Sequence, residues 1–278
     1  MKSKNEFSRR ALVKSSLLGL VTLPINNILY AKNRITLNEK NNSMVSEPKR
    51  YPAIPEEIAN EVVAISHFNL DRLKTLVNKR PELARATWDW GFGDWETAIG
   101  AASHVGREDI VDFLISKGAR PDIFTYAMLG AYETVKGMIE LMPGLQRISG
   151  PHGISLLTHA MQGDTKSQNS IKLIDYLTAL GDADGKKYLA LEEAERQKYA
   201  GDYRYGQGEY EGFTIKVNQK YLLFGKLGKS GGSLLKIGAH TFTYSGSPSV
   251  EISFQWEADK IVSLTVKEPE FSLTAKRI

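Results

Sequence analysis

The spacing of apolar residues changes character along the chain, and each change marks a segment. Lys2 to Arg10 is polar and basic, and Ser15 to Ala31 is mostly apolar but broken by Asn26 and Asn27. The longest unbroken apolar run, around Leu17 to Ile25, falls far short of the ~20 residues that span a bilayer. Residues 32–55 are polar, Pro-punctuated and without periodicity, which predicts a flexible tether. From 56 to 184 apolar residues recur at helical spacing. Residues 185–198 form a charged linker helix, and from 199 to 278 the period switches to two. There Phe213, Ile215 and Val217, then His240, Phe242 and Tyr244, then Val250, Ile252, Phe254 and Trp256, alternate with polar neighbours. Val262, Leu264 and Val266, and Phe271, Leu273 and Ala275, continue the pattern. Roughly seven or eight short strands with one apolar face predict a small antiparallel meander or half-barrel.

The helical part repeats itself. The clearest unit runs from Glu96 to Ala119, with Thr97, Ile99, Ala102, Gly106, Ile110, Val111, Leu114, Gly118 and Ala119 in register. Thr97 suits an N-cap, Gly106 a turn between two helices, and Gly118 a helix end with positive φ. This unit resembles an ankyrin repeat, with Ala98 in place of the usual Pro and Gly100 in place of His. Weaker copies place turns at Asn69, Gly130 and Gly163. The turn positions are 37, 24 and 33 residues apart, so the third copy lacks a finger of ordinary length. The resemblance implies an α-solenoid of about four ankyrin repeats, and the whole chain is expected to be an α+β multidomain protein.

Residues 88–95 (Trp88-Asp89-Trp90-Gly91-Phe92-Gly93-Asp94-Trp95) form the first finger and hold three of the four Trp. Trp88, Trp90, Phe92 and Trp95 are candidate protein-binding anchors, with packing over the next repeat as the alternative. His152, in the last finger, is a further candidate. At the other end, Tyr199-Ala200-Gly201-Asp202-Tyr203 and the closing Ala275-Lys276-Arg277 resemble an accessory β module of penicillin-binding-protein-like serine hydrolases. That resemblance implies an accessory role without a catalytic domain. Such a module either holds a small apolar ligand or fills its core with its own aromatics.

Charge and composition then narrow the function. The net charge of +4 resides entirely in residues 1–31, and the remainder carries 31 basic and 31 acidic residues. No excess positive charge is left to neutralise phosphates, which argues against nucleic acid as a partner. The chain has no Cys, hence no disulfide, thiolate metal site or Cys nucleophile. Ser8-Arg9-Arg10-Ala11-Leu12-Val13-Lys14 resembles the twin-arginine export motif and implies a periplasmic or other extracytoplasmic destination. A membrane contact arises only if this signal stays uncleaved.

The search for chemistry gives little. Ser233-Leu234-Leu235-Lys236 has S-x-x-K spacing, but a strand would point the two side chains to opposite faces. Gly228-Lys229-Ser230 lacks the upstream Gly of a phosphate loop. The five His (67, 104, 152, 159 and 240) show no linear ligand spacing, so no metal and no cofactor are expected. The reading is an exported, non-catalytic adaptor that binds a protein of the cell envelope. Its rivals are a small-ligand protein using the β module and an enzyme with an unrecognised site. Replacing both Arg9 and Arg10 by Lys is expected to hold the precursor in the cytoplasm, because paired guanidinium groups carry the recognition; fractionation of cells expressing that double variant checks it, and normal export would overturn it.

Overall fold

Small side chains decide the middle of the fold. The sequence Ala98-Ile99-Gly100-Ala101-Ala102-Ser103-His104 forms a seven-residue helix in which every residue is buried. Short side chains let neighbouring elements approach closely, and this helix meets four others. The computed structural model describes residues 51–229 and 231–278. The expected export signal over residues 1–31, and the tether as far as residue 50, lie outside the described residues.

Among the described residues, eight α-helices come before the linker, where the apolar spacing places them. They are α1 (Glu56–Ile65), α2 (Leu70–Lys79), α3 (Ala98–His104), α4 (Glu108–Ser116), α5 (Ile123–Met128), α6 (Tyr132–Leu141), α7 (Leu156–Gln162) and α8 (Gln168–Leu180). Their starts are written locally: the side chains of Asn69, Thr97, Asp122, Ser155 and Ser167 each accept a backbone N–H of the first turn. Helix α3 packs against α1, α4, α5 and α7. Between α2 and α3 a two-stranded finger, β1 (Thr87–Asp89) with β2 (Trp95–Thr97), pairs Trp88 opposite Glu96.

The linker helix expected over 185–198 is confined to α9 (Glu193–Tyr199), with 185–192 non-helical. Helix α9 leads into eight strands: β3 (Gly201–Arg204), β4 (Gly212–Asn218), β5 (Tyr221–Lys226), β6 (Gly232–Lys236), β7 (Thr241–Tyr244), β8 (Ser247–Glu257), β9 (Lys260–Glu268) and β10 (Phe271–Arg277). Each pairs antiparallel with its neighbour, and β10 returns to β3, with Arg277 opposite Tyr203. The interior is filled by the barrel's own side chains, among them Tyr203, Phe242, Ile252 and Leu264, together with Tyr199 from the end of α9.

The expected fold class is therefore corrected on both sides. The C-terminal part is a closed eight-stranded barrel, not an open meander or half-barrel. Closure pairs the outer N–H and C=O groups of β3 and β10, which an open sheet would leave as exposed edges. Arg277 fastens the seam by donating to the carbonyls of Lys198 and Ala200. The helical part, in turn, is not an ankyrin solenoid. Its buried side chains divide into two clusters, one over 62–128 and one over 123–183. Its finger does not project to a free face but is built against the barrel. Tyr244 Oη donates to Trp90 O (3.1 Å), Ser247 Oγ donates to Phe92 O (3.0 Å), and the Phe92 ring sits 5.0 Å from that of Tyr244.

Leu114 on α4 is completely buried in the first helical cluster. Leu114→Ala is expected to lower stability by ~2–5 kcal/mol, measured by urea unfolding.

Candidate metal centre

Four side chains converge where the finger meets α1, α3 and the 151–153 turn. His67 follows the end of α1, where the last-turn carbonyls lack helical partners. Its Nδ1–H reaches Ala64 O at 3.0 Å and Val63 O at 3.2 Å. A carbonyl only accepts, so Nδ1 carries the proton and Nε2 presents a lone pair. His104 is the last residue of α3, Glu96 is the middle residue of β2, and His152 lies in the 151–153 turn with φ +59°. One ligand atom from each of the four lies within 4.8 Å of every other.

The closest approaches are short. His67 Nε2 is 3.0 Å from His104 Nε2, and Glu96 Oε1 is 2.9 Å from His104 Nε2 and 3.5 Å from His152 Nε2. Glu96 is fully buried, yet its Oε1 accepts no hydrogen bond among the described residues. Glu96 Oε2 takes the Trp90 Nε1–H at 2.7 Å. His152 Nδ1–H donates to Asp94 Oδ2 at 2.6 Å, and the His152 backbone N–H donates to Asp94 Oδ1 at 2.8 Å. Asp94 lies against Gly246 of the barrel, which has φ +82°; a Cβ there would collide with the carboxylate.

Two carboxylates are thus buried together, and their ion-pair partners among the described residues are histidines alone. Burial alone would raise the Glu96 carboxyl, but His67, His104 and His152 outweigh it and hold it well below the usual range. Burial likewise opposes charge on His152, but Asp94 and Glu96 win and push it up to about 10. Burial lowers His67 to about 4 and also lowers His104, despite the Glu96 charge beside them. One imidazolium leaves the two carboxylates short of one positive charge. A divalent cation that takes the place of the His152 proton would balance both carboxylates, and buried charge demands such compensation.

The donor set fits a metal. Imidazole nitrogens with one carboxylate suit first-row transition ions rather than calcium or magnesium, which take oxygen shells. Metal-bound histidines characteristically donate their other N–H to a carboxylate or a carbonyl. His152 does so to Asp94, and His67 to Ala64.

The sequence-predicted anchors are distributed unevenly. Trp88 and Trp90 pack against the helical core, and Phe92 packs against the barrel core. Trp95 is 63% exposed. His152 joins the centre. Sequence reading missed His67, Glu96, His104 and Asp94 because the ligands come from four separated segments, where linear spacing carries no signal. Of the other features, Lys236 lies on β6 and pairs with both oxygens of Glu195 (2.7 and 2.8 Å). Comparison with protein-family models, curated proteins and solved structures returns no match.

The titrations set a pH dependence for the metal-free protein. His67 and His159 are both held at about 4 by burial, below the ordinary 6.5. Unfolding therefore takes up protons on these rings, and stability falls as pH drops from about 6.5 towards 4. His152 acts oppositely: its contribution is full below 6.5 and is lost as pH rises towards 10. His159→Gln is expected to make the acid limb shallower by about one proton. Urea melts between pH 4 and 7 check this, and an unchanged limb would show that His159 does not titrate on unfolding.

Proposed function

We propose that this protein is an exported metalloprotein whose buried transition-metal ion is structural, pinning the helical layer to the finger that docks on the barrel. The observation that carries the reading is the convergence of three imidazole nitrogens and the Glu96 carboxylate within 4.8 Å of one another, with the buried Glu96 Oε1 left without a hydrogen-bond donor among the described residues. Four protein ligands with little exposure are the pattern of a structural site, whereas catalytic sites keep a position open. The twin-arginine-like segment around Arg9 and Arg10 supports export. That route carries folded proteins, so the ion enters before export. The outward task is the adaptor role read from the sequence, binding a protein of the cell envelope. Trp95 favours it, since it stands exposed on the finger that the centre immobilises.

Protein purified without chelators is expected to carry about one divalent transition ion per chain, measured by plasma mass spectrometry. Stripping the ion is expected to lower the melting temperature, and zinc at a thousandfold excess over Kd to restore about 4 kcal/mol. His67→Ala and His104→Ala are expected to abolish uptake. Absence of metal from the purified protein, together with no binding of added zinc, iron, manganese or cobalt, would overturn the proposal.

A further inference from the structure

Trp90 is the one aromatic of the finger whose polar atom reaches the centre. It stands beyond the end of β1, with its backbone held on both sides: its N–H donates to Asp94 O at 3.1 Å, and its C=O accepts from Tyr244 Oη at 3.1 Å. The ring packs against the helical core and lies edge-on to His67 and tilted to His152, with centroids 6.4 and 6.3 Å away. An indole offers a donor and no acceptor, so it cannot ligate a cation; it can only direct a neighbour that does.

That neighbour is Glu96. The two carboxylate oxygens have separate surroundings. Oε2 takes the indole N–H at 2.7 Å and is 3.5 Å from His67 Nε2. Oε1 takes no hydrogen bond among the described residues and faces the Nε2 atoms of His104 and His152. We propose that Trp90 is a positioning residue of the metal centre: by holding Oε2, it leaves Oε1 as the single oxygen that Glu96 gives the ion. The inference rests on the metal reading above and adds its coordination number. Three nitrogens and one oxygen make a four-coordinate site, which suits zinc or cobalt(II). A carboxylate free to turn both oxygens inward would add a fifth ligand and suit larger, oxygen-preferring ions. Trp90 thereby becomes a determinant of which ion is kept.

The test is cobalt(II) substitution of the full chain, read in the visible spectrum, with zinc affinity measured by competition. Wild-type protein is expected to show the intense d–d bands of a four-coordinate ion. Trp90→Phe keeps an aromatic ring and removes the N–H. It is expected to weaken those bands, as a fifth ligand joins, and to lower zinc affinity about 10–100-fold, the usual effect of losing a group that orients a ligand. A merely structural role for the ring would leave the spectrum unchanged. If wild type takes up cobalt and the variant matches it in spectrum and affinity, the role of Trp90 falls and the metal centre stands. If wild type takes up neither cobalt nor any other transition ion, the metal reading itself falls. Should Trp90→Phe fail to fold, the wild-type spectrum still decides, because weak five- or six-coordinate bands there overturn the proposal.

Discussion

Two carboxylates, Asp94 and Glu96, are buried two residues apart in a finger of the chain, and the surrounding structure is organised around neutralising them. A charge taken out of water needs partners in the same dry space. Helix α1 ends so that His67 reaches inward, α3 delivers His104 from its last residue, and the 151–153 turn adopts a positive φ at His152 to supply the third ring. None of these segments provides a lysine or arginine ion pair to the two acids among the described residues. Imidazoles have lone pairs as well as protons, so the arrangement accepts a cation as readily as it shares protons.

The same finger serves the barrel. Its tip lays Phe92 between Phe224 and Tyr244, while Tyr244 and Ser247 donate to its backbone carbonyls. Close contact is possible because Gly246 has no side chain where the Asp94 carboxylate lies. The charged cluster and the contact with the barrel are therefore built on one short hairpin. The small residues of α3 let the helices close around its base.

Much of the local structure was legible. The capping side chain of Thr97 and the apolar stripe of Ile110, Val111 and Leu114 act through neighbours three or four residues away, so they can be read from sequence. Alternation marked the strands in the same way. Closure of the barrel was not legible, because alternation fixes which face is buried and not whether the last strand finds the first. The centre was less legible still. Periodicity reports burial and is blind to which buried polar groups meet, and His67, Glu96, His104 and His152 share no repeat. The aromatics of residues 88–95 did stand out by composition. Their distribution between a helical core, a barrel core and solvent depends on contacts that are distant in sequence.

The hydrogen bond from Tyr244 to Trp90 joins residues 154 positions apart. Contacts of such separation form only after the intervening chain has ordered, since loop closure is unfavourable until the pieces have shape. Seating of the finger therefore depends on two parts of the chain that lie far apart in sequence. Whenever it is unseated, the Phe92 ring and the barrel rings of Phe224 and Tyr244 that receive it are uncovered together, and uncovered apolar surface of that kind is what wrong association uses.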